Sequence, residues 1–236
     1  MGFNLLGQNG RALYHDLWRD PELVGFWPLN EGTSAVYDRA LAYRNNATAL
    51  LGPAYGAAIG GLTGMTFTKS SSHEVRIGDV AALNFERTSP YTIIAAVKHN
   101  SFTSEQCYLS KTDVRGWYWE ANASAKQYYV AFSTGPTYTI VEANAALTSG
   151  VPYLLGVTLS GATNAAGCKL WQNGTTVAQT TVLDTLSLTV TSTGAASIGQ
   201  RLTGGYFDGN IGFVAVFNAA KTALDMKRWA RLGGFA

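Results

Sequence analysis

The chain breaks into many short runs of β-branched and aromatic residues, separated by turn residues and not by helical stretches. Asn173-Gly174 is the sharpest marker, standing between Lys169-Leu170-Trp171-Gln172 and Thr175-Thr176-Val177-Ala178. Asn-Gly between two such runs predicts a two-residue hairpin, because both residues tolerate the positive φ that the turn needs. Asp208-Gly209 plays the same part between Tyr206-Phe207 and Ile211. Tyr91-Ile93-Ala95-Val97 alternates with Thr92-Ile94-Ala96-Lys98, as strand residues do. Further runs are Trp117 to Glu120, Tyr128 to Phe132, Tyr138 to Val141, Tyr153 to Leu159, Leu186 to Val190 and Ile211 to Phe217.

Helical signals sit only at the ends. Leu13, Leu17 and Trp18 share one side of Arg11 to Arg19, and Pro21 stops the run. Near the C-terminus, Thr222 with Asp225 resembles a capping box. Leu224, Trp229 and Leu232 are expected to dock, and Gly233-Gly234 to end the helix. Many evenly spaced strands without interleaved helices predict an all-β sandwich or barrel with short terminal helices. The expected division is an N-terminal arm or cap over 1–21 and one sandwich domain over 22–236, large enough to bury a sizeable core.

Charged residues make up only 14% of the chain and net charge is +2, with no Lys/Arg run. Nucleic acid and anionic membrane are therefore not expected partners. No apolar stretch reaches the roughly 18 residues of a spanning helix. The start, Met1-Gly2-Phe3-Asn4-Leu5-Leu6-Gly7, lacks the basic and apolar regions of a secretory signal. Either a signal was removed or the protein reaches its place by another route, and Met1 favours the second. Accordingly, the Asn-x-Ser/Thr sequons at Asn46, Asn122 and Asn173 are discounted. Cys107 and Cys168 form neither a disulfide framework nor a metal motif; a single bridge or two buried thiols both remain open.

Several segments together resemble laminin-G-like, concanavalin-A-like lectin/glucanase jelly rolls. Leu23-Val24-Gly25-Phe26-Trp27-Pro28-Leu29-Asn30-Glu31-Gly32 is similar to the opening strand of that family. Tyr37-Asp38 with Asn45-Asn46 resembles its next turn, and Tyr91 to Val97 its central strand. Lys169 to Gly174 and Ser197-Ile198-Gly199 through Gly209 resemble its later hairpin and "iG…yFdG" segment. The resemblance implies an all-β, two-sheet antiparallel β-sandwich of the jelly-roll kind over about 22–232. It also implies Trp27 and Trp171 as core residues, and a calcium site begun by Asp38 with Asn45 or Asn46. After the last Asp-Gly the chain reads Asn210-Ile211-Gly212, without the family's acidic pair, so calcium would need carbonyls and water to complete its shell. The alternative is that Asp38 and Asn46 hydrogen-bond their own backbone as turn residues. No resident cofactor is otherwise expected.

Glycan hydrolases share this sandwich but need paired carboxylates. Here Glu120 and Glu142 stand alone, and His15, His73 and His99 fit no metal or nucleophile pattern. The Gly-rich stretch through Gly56, Gly60-Gly61 and Gly64 reads as loop punctuation. A non-enzymatic role follows. For glycan binding, Trp117, Trp119 and Tyr128 are the candidate platform, aromatic faces that stack on sugar rings; the competing reading packs both tryptophans between the sheets.

Freestanding forms of the family are found among bacteriophage virion proteins, and the resemblance, with Asp20-Pro21 ahead of the Trp strand, implies that setting. The expected function is a structural protein at the virion surface, a capsid decoration or tail/fibre component, with adhesion to host glycan as its use. Other virion proteins or copies of itself would be its partners. Phe3, Leu5, Leu6, Leu13, Leu17 and Trp18 are the candidate assembly contacts, against the alternative that the arm folds back over its own sandwich. A secreted or cell-surface, extracellular carbohydrate-binding module is the second reading.

Overall fold

The structure, a computed structural model, describes residues 8–32, 35–42, 44–135, 137–202 and 204–236. Phe3, Leu5 and Leu6 lie outside these described residues. Among the described residues, helix α1 is Gln8–Trp18, and sixteen strands follow before helix α2, Ala223–Gly233. The strands are β1 (Leu23–Trp27), β2 (Ala49–Leu51), β3 (Ala54–Ile59), β4 (Leu62–Phe67), β5 (Glu74–Gly78), β6 (Pro90–His99), β7 (Gln106–Thr112) and β8 (Gly116–Ala121). They continue with β9 (Lys126–Phe132), β10 (Tyr138–Ala146), β11 (Pro152–Ser160), β12 (Cys168–Gln172), β13 (Thr175–Thr176), β14 (Gln179–Asp184), β15 (Ala196–Ile198) and β16 (Gly209–Phe217).

Two antiparallel sheets of eight strands face each other. Sheet A runs β13-β12-β11-β6-β16-β4-β3, and sheet B runs β14-β10-β9-β8-β7-β15-β5-β2. The eighth strand of sheet A, β1, pairs with the second half of β16, from Leu23↔Phe217 to Trp27↔Val214, while β4 takes its first three residues. The mostly-strand architecture with two terminal helices is the one the turn spacing predicts.

Between the sheets lies the larger core, built from inward residues such as Trp27, Phe67, Ile93, Val97, Trp117, Trp119, Tyr129, Val141 and Val214. A second core covers the outer face of sheet A. There Leu13, Tyr14 and Leu17 of α1 and Met226, Trp229 and Ala230 of α2 pack on Phe26, Ile94, Ala96, Phe213, Ala215 and Phe217. The molecule is therefore layered helix, sheet A, sheet B. This explains β6: its inward set is Tyr91, Ile93, Ala95 and Val97, while Ile94 and Ala96 on its other side are apolar because they meet the helices. In β16 the register shifts between Ile211 and Phe213, so Ile211 and Val214 both face inward while Phe213 turns outward.

Local chemistry agrees with the turn reading at Asn173-Gly174, whereas Asp208-Gly209 closes no hairpin: 205–208 are not strand, and Gly209 opens β16 in the sheet opposite β15. Asn173 and Gly174 have φ of 49° and 78°, a left-handed pair that closes β12 onto β13. A Cβ on Gly174 would lie 2.8 Å from the Lys227 Cα, so the bare turn is also the seat of α2. Thr222 and Asp225 form the capping box, and Gly234 at φ 75° ends the helix. Leu224, expected to dock, is exposed; Met226 is buried in its place.

Three expectations are corrected. The Gly-rich stretch is the β3–β4 hairpin, not loop punctuation. Gly64 lets β4 lie on β16, where a Cβ would stand 2.1 Å from the Ile211 carbonyl oxygen. Leu186 to Val190 forms no strand; both residues are buried as a loop over the core edge. Leu13 and Leu17 are fully buried in their own chain, so they are not docking contacts for a neighbour. The described part of the 1–21 segment caps a sheet face, since the outer side of sheet A carries Phe26, Ile94, Ala96, Phe213 and Phe217, which need covering. Cys107 and Cys168 are buried free thiols. No helix among the described residues is long and apolar enough to cross a membrane.

Candidate functional site

With the helices closing sheet A, the outer face of sheet B is left open, and β8, β9 and β10 bring an aromatic row to it. Residue alternation decides which rings reach that face. Trp117 and Trp119 point inward and are at most 1% exposed, one between Phe85 and Tyr91, the other against Tyr108. Neither can stack on a sugar, which corrects the platform expected of them. The reason is parity: two large indoles on one side of β8 fill the intersheet space, so the intervening Tyr118 must face out.

Tyr118, Tyr128, Phe132 and Tyr138 are the half-buried rings of the open face. Phe132 bridges Tyr118 and Tyr138, with centroid distances of 6.1 and 6.2 Å. Tyr128 stands opposite Glu120 on one neighbour and Glu142 on the other. The sheet thus carries two carboxylates, solitary in sequence, to one face, roughly 10 Å apart across two strand spacings.

The two acids differ. Glu142 is held by Lys126 Nζ at 2.8 Å and by Asn122 Nδ2 at 2.7 Å. Glu120 is 1% exposed under Arg201, whose Nη1 lies 3.5 Å from Oε1. Arg201 comes from the turn after β15, and its guanidinium sits 4.6 Å over the Tyr118 ring. Burial pushes the Glu120 carboxyl up to about 7, against the pull of Arg201 and with a push from Glu105. The Tyr118 hydroxyl is raised to about 12, mainly by burial and then by Glu120. With one carboxyl sealed beneath a guanidinium and the other tied on both oxygens, neither faces a substrate as acid or base. What the face offers is aromatic area edged by Lys126, Glu142 and Arg201, a surface for stacking and hydrogen bonding. Tyr128, grouped in the sequence with Trp117 and Trp119, lies on the opposite face from both, and Phe132 and Arg201 were missed. Alternation along β9 would have found Phe132, whereas nothing local links Arg201 to β8.

The sequence-predicted calcium residues and Trp18 meet elsewhere, around a cleft of about 840 Å³ between α1 and residues 37–41, 44 and 46. Asp38 Oδ1 accepts from the Phe26 and Ala40 amides at 2.8 and 2.9 Å, and Oδ2 accepts from Asn45 N at 2.9 Å. Asn46 Oδ1 accepts from Asp38 N at 3.0 Å. Oxygens taken up by backbone donors do not fit a cation, and no cluster of three metal-ligating side chains occurs among the described residues. The pair is the turn staple of the alternative reading, and it corrects the calcium expectation. Burial raises the Asp38 carboxyl despite those three amide donors. Trp18 lines the cleft and remains 43% exposed.

A laminin-G-like family model, described as the concanavalin A-like lectin/glucanases superfamily, matches residues 69–226. No curated protein matches the chain. Among solved structures, the binding domain of Paraclostridial Mosquitocidal Protein 1 superposes with a TM-score of 0.66 at 11% identity, covering 89% of this chain and 52% of that one. Domain 4 of AbnA, a GH43 extracellular arabinanase from Geobacillus stearothermophilus solved with arabinotriose, gives 0.65 at 13% identity, covering 89% and 98%. The binding domain of botulinum neurotoxin DC, solved with rat synaptotagmin II, gives 0.67 at 9%, covering 89% and 52%. The chain spans about half the length of the toxin binding domains it matches. At such identities the likeness is one of fold. The family match covers well over half of the 236 residues and agrees with the two-sheet architecture, so the chain belongs to the concanavalin A-like lectin/glucanase superfamily.

Proposed function

We propose that the chain is a non-catalytic, lectin-like binding module that takes a glycan on the open face of sheet B, around Tyr128. The observation that carries this is an asymmetry. One sheet is sealed by helices, while the other presents Tyr118, Tyr128, Phe132 and Tyr138 beside charged hydrogen-bonding groups. Aromatic rings with polar neighbours suit the amphipathic faces of sugars. The fold is shared with a domain solved with arabinotriose, which supports the same use of this chain. A broad glycan panel tests it. A saturable ligand whose binding is abolished by Tyr128→Ala or Phe132→Ala, in a protein that still melts normally, is the expected result. A blank panel with folded protein would overturn the reading.

The finer placement is the virion surface of a bacteriophage, as a capsid decoration or tail/fibre component presenting this face to a host. Its support is in the sequence, namely the Asp20-Pro21 lead-in and a surface with few charges. Asp20 also serves the fold, since with Glu22 it holds Lys221 Nζ at 2.6 to 2.7 Å. Antibody labelling of intact particles checks the placement. Label confined to a cell surface would favour the secreted, extracellular alternative.

A further inference from the structure

The geometry points to a second binding site, in the cleft between α1 and residues 37–41, 44 and 46, shaped for an anionic saccharide: a sugar ring bearing a carboxylate or sulfate. This site lies on the helix-bearing side of sheet A, away from the Tyr128 face, and does not rest on the reading of that face.

Three observations converge. The cleft holds about 840 Å³, the size of a small-molecule site. Trp18 and Tyr37 line it 43% and 41% exposed, where neighbouring Tyr14 and Phe26 are buried. Finally, its lining carries Arg39, Arg44 and His15 beside Asp38, with Glu31 paired to Arg39. The Asp38 carboxylate is already satisfied by the amides of Phe26, Ala40 and Asn45, so it does not compete for a ligand's hydroxyls. Arg39 lies 5.2 Å over the Tyr37 ring and 3.1 Å from Glu31, which fixes one guanidinium beside one ring. Guanidinium groups match the planar geometry of carboxylates and take them in pairs of hydrogen bonds. Stacking rings beside guanidinium groups is the chemistry that recognises an acidic sugar.

An acidic peptide is the competing occupant, and the backbone disfavours it. The free edge of β1 is closed, since Phe26 N–H donates to Asp38 and the Phe26 carbonyl accepts from Arg39 N at 2.7 Å. An extended peptide would find no strand to join there.

Calorimetric titration with galacturonate, sialylated and sulfated oligosaccharides, each beside its neutral or methyl-esterified counterpart, tests the site, with hexaglutamate as the peptide control. The expected result is binding of at least one acidic sugar, weakened by added salt. Its neutral counterpart should bind at least ~10-fold more weakly. Trp18→Ala and Arg44→Gln should each reduce the affinity by ~10-fold or more with melting unchanged, and Tyr128→Ala should leave it intact. Equal binding of neutral counterparts, no binding by any acidic sugar, or binding of hexaglutamate alone would overturn the proposal. Loss of acidic-sugar binding through Tyr128→Ala, with both cleft variants normal, would overturn it too and assign that ligand to the sheet face.

Discussion

Glu120 carries the most distinctive chemistry of any single residue. Its pKa is raised to about 7 from an ordinary 4.5, so its protonated form favours the folded state. That contribution is complete below pH 4.5 and is lost as pH rises through 7. Glu120→Gln should therefore gain on the natural protein across this window, by on the order of 3 kcal/mol at about 1.4 kcal/mol per pH unit. Melting curves at about pH 4.5, 6 and 7.5 check it, and a constant difference would mean the carboxyl titrates normally. His99 acts with the opposite sign. Burial lowers its pKa to about 4, so its contribution is present above 6.5 and lost as pH falls through 4. The variant should thus still weaken on acidification. Trp117→Ala separates core from platform: the buried indole predicts a loss of about 3–5 kcal/mol, measurable by denaturant unfolding. Tyr128→Ala, half in solvent, should cost less than about 1 kcal/mol.

Among the elements, α1 is the one whose role changes most between sequence and structure. Deleting residues 1–20 removes the buried Leu13, Tyr14 and Leu17 and uncovers Phe26 and Phe213. At about 1.5–3 kcal/mol per buried side chain the loss is on the order of 5–8 kcal/mol. Calorimetry should show a large drop in Tm, and the truncated protein should bind a hydrophobic dye; unchanged melting would mean that α1 is dispensable. Turns and caps were legible in sequence because their chemistry is local. Asn173-Gly174 and the Thr222–Asp225 box each declare themselves within four residues. The β3–β4 hairpin was hidden because its glycines answer to β16, far away along the chain, and Leu186 to Val190 because apolar residues covering a core edge look like a strand. At the site, the period-two alternation showed that Tyr118 and Trp119 part company but not which side meets solvent. That depends on which face of sheet B packs against sheet A, a tertiary fact. Arg201 over Tyr118 is long-range in the same way.

At the scale of the whole molecule, two cores share sheet A as their common wall, so neither is expected to melt alone. Tryptophan fluorescence and far-ultraviolet circular dichroism should report one coincident unfolding transition. Because both cysteines are buried free thiols, its midpoint should be the same with and without reductant. The helix layer has a further consequence. α1 and α2 touch through Asp16, which accepts from Trp229 Nε1 at 3.0 Å and pairs with Arg228, so both helices lie together on one side of sheet A. A copy anchored by either helix would turn the Tyr128 face away from its anchor. Copies spaced on a lattice would then form a forest of parallel, outward-facing weak sites, and a multivalent surface would be gripped ~10²–10⁴-fold more tightly than a single sugar, with no contact improved.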